Sequence, residues 1–196
     1  TSIVPYLTDL LGKQFRFDHG HAMLMKKDGE AFALHGGGAP KEPGIRYEVA
    51  DGQIRSELLV VEYALCDVAE GDGGLCVVPG SHKSNFACPS SLASLEKPGA
   101  WLWNVPQKAG SAVIFTEALT HGTLPWTADH ERRALFYRYT PGYMAFVGRY
   151  REDGLEASDG GYPQPSHSEE GDWSPEERRI LEAPYFWKRD DNFSES

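Results

Sequence analysis

The 196-residue sequence predicts a mainly β fold, a double-stranded β-helix of jelly-roll type with few short helices. Two observations predict it. Short runs of strand-forming residues follow one another with Gly, Pro, Asp and Ser between them, and no long amphipathic helices separate them as a βαβ fold requires. His121 follows the apolar run Ala112-Val113-Ile114-Phe115, and Arg132-Arg133 re-enter eleven and twelve residues later. A histidine at one strand end with an arginine on the next strand is how this architecture builds a metal-and-carboxylate site. An apolar content of 40% with 12% aromatics is ample for one core.

Taken in order, residues 15–25 and 30–35 carry strand patterns around Lys26-Lys27-Asp28-Gly29, and Asp-Gly between two such runs predicts a hairpin. Residues 36–44, rich in Gly and Pro, read as a loop leaving the strand that ends at His35. Further strands are expected over 45–49, 53–66 with a bend, 74–78, 101–105, 111–115 and 133–139, and a short helix over 90–97. The β domain is thereby placed at 1–150, with an acidic C-terminal extension at 151–196. Within that extension, residues 152–172 read as a mobile surface segment. Ser174-Pro175-Glu176-Glu177 then supplies an N-cap, a proline at the first helical position and an acidic first turn, so a short helix should end before Pro184. The sequence opens at Thr1 in what reads as domain interior, so further N-terminal residues are expected to complete the domain.

The formal charge is −10, but residues 152–196 hold 13 acidic against 4 basic side chains, which places −9 of it in the extension. A nearly neutral body with an acidic tail lacks the basic face a nucleic-acid partner demands. Cys66, Cys76 and Cys88 show neither CxxC nor Cys/His metal spacing, which favours free thiols and a reducing cytoplasm over a disulfide framework. No apolar run approaches the roughly 20 residues of a membrane helix. A small-molecule substrate is the expected partner, and oligomeric state is left open.

An iron(II) site of the facial type needs two histidines and a carboxylate on one side, leaving the opposite positions for reactants. His35, at a strand end before glycines, and His121, 86 residues later, are the candidate histidines. Arg132 offers the two-pronged fork that suits the distal carboxylate of a 2-oxo acid. Alternation sends Arg132 and Arg133 to opposite faces, so Arg133 is its fallback. His19 and His21 share a strand face and form a second, weaker pair, read more plainly as ordinary strand residues.

Leu34-His35-Gly36-Gly37, the segment from Ala64 through Gly73-Gly74-Leu75-Cys76-Val77-Val78 into Pro79-Gly80-Ser81-His82-Lys83, and His121-Gly122-Thr123 with Arg132-Arg133-Ala134-Leu135 together resemble the phytanoyl-CoA dioxygenase family over about residues 15–140. The resemblance implies a cupin-like double-stranded β-helix, iron(II), 2-oxoglutarate and hydroxylation of an unactivated C–H bond. It implies His35 and His121 as metal ligands, with Arg132 and Thr123 for 2-oxoglutarate and His82 in a structural turn near the pocket mouth.

The family's His-x-Asp carboxylate is replaced here by Gly37, and three explanations compete. The carboxylate comes from elsewhere, Glu62 being the candidate, with Glu117 four residues before His121; the plain reading of Glu62 is an outward-facing strand residue. Alternatively chloride fills the vacated position, as in the related halogenases. In the third, metal chemistry is lost and a small-molecule binding module remains. Trp101, Trp103, Trp126, Tyr137 and Tyr139 could line an aromatic pocket, although at strand spacing they also read as core. The acidic extension fits a lid, a subunit contact or a solubilising segment equally.

Overall fold

The computed structural model describes residues 2–37, 43–96, 98–146, 149–150, 156–157, 171–182 and 184. Two four-stranded antiparallel sheets dominate it. The larger has the order β1-β10-β5-β8, made of β1 (Arg16–Met25), β10 (Arg132–Thr140), β5 (Leu59–Ala64) and β8 (Ala112–Thr116). The smaller has the order β2-β9-β6-β7, made of β2 (Phe32–His35), β9 (His121–Leu124), β6 (Gly74–Val77) and β7 (Trp103–Asn104). A separate hairpin joins β3 (Tyr47–Ala50) to β4 (Gln53–Ser56) through Asp51 and Gly52, both at positive φ as a two-residue turn requires. This is the mainly β, two-sheet architecture expected from the sequence.

Strand β5, Leu-Val-Val-Glu-Tyr-Ala, is buried on both faces. Its Val60 meets Leu75, Val77, Val105, Phe115, Ala134 and Phe136 between the two sheets. Its Leu59 and Val61 face the other way, onto Phe15, Tyr139 and the buried Leu7 and Leu11 of helix α1 (Val4–Leu11). That helix, absent from the sequence reading, covers the back of the large sheet. Alternation along β10 similarly sends Tyr137 and Tyr139 towards α1 and leaves Arg132, Ala134, Phe136 and Arg138 on the inner face.

Several expectations are corrected. The turn at 26–29 forms, with the Gly29 N–H donating to the Lys26 carbonyl at 2.9 Å, but the flanking strands do not pair as a hairpin. β1 pairs with β10 and β2 with β9, because the chain crosses there from one sheet to the other. His121 does not close the apolar run at 112–116; it opens β9 in the opposite sheet after a turn. The helix expected over 90–97 is the four-residue α2 (Ser90–Ala93). The bend expected within 53–66 falls between β4 and β5. Helix α3 (Pro175–Leu181) has its capping box in full, the Ser174 side chain accepting from the Glu177 N–H and Glu177 accepting from that of Ser174. β11 (Arg149–Tyr150) and β12 (Glu156–Ala157) pair antiparallel. Most of the segment 152–172, and residues 38–42 of the loop after His35, lie outside the described residues.

Candidate metal centre

His35 and His121 are direct antiparallel partners across β2 and β9, which sets their rings 4.1 Å apart between centroids. Each ring is held by a carbonyl two residues before it. His121 Nδ1 lies 2.7 Å from the Leu119 carbonyl, and His35 Nδ1 lies 3.1 Å from that of Ala33. A carbonyl oxygen can only accept, so both rings carry a proton on Nδ1, which leaves Nε2 as the nitrogen each can offer to a metal. Burial pushes the His121 imidazole down to about 4, with Glu117 pulling the other way, so it is neutral through the physiological range.

Glu117 sits in the turn between β8 and β9. Its Oε1 is 3.7 Å from His121 Nε2 and 3.9 Å from His35 Nε2. Arg138 approaches its other oxygen, Nε to Oε2, at 3.5 Å. Among the described residues His35, Glu117 and His121 bring one ligand atom each within 4.8 Å of the others. The cavity in front of the histidines has a volume of about 320 Å³ and is also lined by His21, Met23, Phe32, Thr123, Phe136 and Arg138.

Glu62 is not part of this group. Its place on the inner face of β5 buries it completely, contrary to the outward reading, and it pairs with Arg132 across the sheet, Nη2 to Oε1, at 2.5 Å. An arginine with no exposed surface needs a counter-charge, and Glu62 supplies it. Burial pushes the Glu62 carboxyl above its usual value, an effect Arg132 only partly offsets. Arg132 also lays Nη1 2.9 Å from the sulfur of Met23, a cavity residue, while its Nε is buried with no hydrogen-bond acceptor.

Arg133 points away, exposed and paired with Glu131 at 2.7 Å, so the fallback for Arg132 falls on the outer face. His82 packs edge-on against Tyr47 and does not reach the histidines. His19 and His21 form no ligand pair. His19 Nδ1 is 2.7 Å from Asp18, and His21 stacks on Phe136 with Arg138 3.1 Å from its Nδ1. Of the aromatic candidates, Tyr137 and Tyr139 pack on the α1 side, Trp126 is buried with Met25 and Val68, and Trp103 is exposed. Trp101 lines a separate, apolar cavity of about 400 Å³ beside Phe86 and Thr120.

Arg138 was missed by sequence reasoning, although counting alternate residues from Arg132 through Ala134 and Phe136 places it on the inner face. The buried Asp18 network was missed too. No sequence pattern announces it.

The family model described as Phytanoyl-CoA dioxygenase (PhyH) matches residues 35–134. Among solved structures, HygX from Streptomyces hygroscopicus with nickel and 2-oxoglutarate bound is similar at TM-score 0.67 and 22% identity, covering 77% of this chain and 69% of that one. HygX with nickel, 2-oxoglutarate and hygromycin B bound is similar at TM-score 0.66 and 22% identity, over 82% and 70%. A nickel complex of ThoJ, described as a non-heme monooxygenase, is similar at TM-score 0.55 and 15% identity, over 96% and 62%. No protein of curated function matches the chain in sequence. Among the described residues no helix is long and apolar enough to cross a membrane.

Proposed function

Because the chain belongs to the phytanoyl-CoA dioxygenase family, we propose that it is an iron(II)- and 2-oxoglutarate-dependent oxygenase that hydroxylates an unactivated C–H bond of a small organic substrate. The observation that carries this reading is the convergence of two histidines, each turned by an Nδ1 contact to a backbone carbonyl, with the Glu117 carboxylate beside a cavity that the two histidines line. Two imidazoles and a carboxylate oxygen suit iron(II), and the cavity leaves room for reactants on the opposite side. HygX, similar in fold, holds a metal and 2-oxoglutarate together.

In this reading His35 and His121 hold the metal. Bound there with 2-oxoglutarate, iron(II) supplies the dioxygen activation that C–H oxidation requires. The residues around it orient and enclose. The Leu119 and Ala33 carbonyls fix the tautomer and ring angle of the two histidines, as partners of metal-binding histidines do. Phe32, Met23 and Phe136 make the cavity wall apolar and limit water. Arg132 takes the far carboxylate of 2-oxoglutarate, with Thr123 on the approach. Arg132 lies behind the cavity wall, completely buried, with Nη1 against the sulfur of the cavity residue Met23 and Nε against Gly74. Arg138, on the same face of β10 and itself lining the cavity, is the second cation available to an anionic reactant.

The halogenase reading, with chloride in the place left by Gly37, gains no support from these relatives, and a pure binding module would have no use for the paired lone pairs. The test is succinate formation from 2-oxoglutarate under air with iron(II), in the wild type and in His35→Ala and His121→Ala. Succinate formation lost in both variants supports the reading, and a wild type that forms none while binding no iron refutes it. Arg132→Met should weaken 2-oxoglutarate binding more than Arg138→Met; the reverse order would move the cosubstrate carboxylate to Arg138.

A further inference from the structure

The glycine pair after His35 does more than remove a carboxylate. Gly36 and Gly37 have φ of +71° and +68°, in the left-handed region where a side chain is strained. Both lie directly against the turn that carries Glu117. A Cβ on Gly36 would strike the Glu117 carbonyl and sit 2.8 Å from that of Leu119. One on Gly37 would strike the Thr120 hydroxyl and lie 3.0 Å from the Ala118 carbonyl. The Thr120 hydroxyl donates to the Gly36 carbonyl at 3.4 Å, closing the two segments on each other. An aspartate at 37 is therefore disfavoured while this turn keeps its present place, by its φ and by the contacts its Cβ would make.

The turn is anchored independently. The Glu117 N–H donates to the Leu58 carbonyl at 3.0 Å, the Leu119 N–H to that of Thr116 at 2.9 Å, and the Thr120 N–H to the Ser81 hydroxyl at 2.7 Å. So held, it directs Glu117 Oε1 to within 3.7 and 3.9 Å of the two histidine nitrogens. Neighbouring ligand atoms on one ion at bond lengths of about 2.1 Å stand about 3.0–3.4 Å apart, so a shift of about half an ångström brings Glu117 Oε1 into the set. Oε2 is buried with no hydrogen bond, and Arg138 is 3.5 Å away.

We propose that Glu117 is the third metal ligand, a carboxylate moved from the loop after the first histidine to the turn before the second, and that Gly36-Gly37 is the backbone adaptation that admits it. The inference rests on the oxygenase reading above and adds the source of the carboxylate. With Glu117 in that coordination position, none is left beside Gly37 for a halide.

The test is anaerobic iron(II) titration by calorimetry on the full chain, with Glu117→Gln, Glu117→Asp and His121→Ala, each checked for an unchanged thermal melt. Glutamine keeps the shape of glutamate and loses the charge. The expected result is a fall in iron(II) affinity of at least about 100-fold in Glu117→Gln, above the range typical of a residue that merely supports a ligand, with partial recovery in Glu117→Asp. Wild-type affinity in Glu117→Gln, with binding lost in His121→Ala, overturns the inference and leaves the oxygenase reading standing. Affinity that ignores Glu117→Gln and strengthens with chloride overturns it in favour of a halide ligand. Wild-type affinity in His121→Ala as well would sink both.

Discussion

Arg132 and Glu62 form an ion pair with no exposed surface on either side, and removing one partner strands the other. Breaking such a pair costs about 3–5 kcal/mol, whereas replacing both partners with apolar residues of similar volume is often neutral. Glu62→Leu and Arg132→Met should each lose about that much, and the double variant should recover most of it. At a urea dependence of about 2 kcal/mol per molar, each single variant lowers the unfolding midpoint by about 1.5–2.5 M.

The two singles differ in pH dependence. In Glu62→Leu the stranded arginine cannot shed its proton, and the wild-type carboxyl that is lost is itself held above its usual value, so this penalty is largest in acid and falls as pH rises through the folded-state value. In Arg132→Met the stranded carboxyl can take up a proton. Burial already holds the Glu62 carboxyl above its usual 4.5, and loss of Arg132 raises it further. The folded state then binds more protons than the unfolded one, so the penalty is smallest below 4.5 and grows as pH rises through the folded-state value. Urea titrations at pH 4 and pH 7.5 on the four proteins measure this. Single-variant losses below about 1 kcal/mol that simply add in the double variant would refute the reasoning.

Asp18 should behave in the opposite sense. Burial raises its carboxyl, but His19, the Phe146 N–H and Arg16 together bring it below the usual 3.8. Its stabilising contribution is present above 3.8 and lost as pH falls through the folded-state value, so the gap between wild type and Asp18→Asn should close in acid melts. A gap that widens in acid would contradict this. Gly37→Ala should cost about 2 kcal/mol, lowering the melting temperature by about 4–8 °C, because the residue is at positive φ and its methyl meets Thr120. An unchanged melt would mean that the turn yields without cost. The same variant should weaken iron(II) binding by displacing Glu117.

The strand inventory and the two histidines were legible because their signals are local: alternation, turn residues, and a histidine at a strand end. The pairing of strands was not. Asp28-Gly29 makes a turn in either topology, and no hairpin forms because β2 pairs with β9 in the other sheet and the chain crosses between the sheets at that turn. Glu62 drew attention as a carboxylate in an apolar run, and it is buried as that anomaly implies, but sequence alone cannot tell a metal ligand from the partner of an arginine 70 residues away. Glu117 lies in a turn, where an acidic side chain is ordinary, and its meaning comes from the close approach of Gly36-Gly37. The helix α1 escaped notice because its eight residues offer Pro5 and a few apolar positions as their only signals.

The most direct test of the central claim is anaerobic titration of the protein with iron(II) and then 2-oxoglutarate, watching for the weak visible charge-transfer band of the chelate. A saturable band is expected in the wild type that needs both additions and disappears in His121→Ala. A folded wild-type protein that shows no band would contradict it, and the chain would then be a binding module on an oxygenase fold.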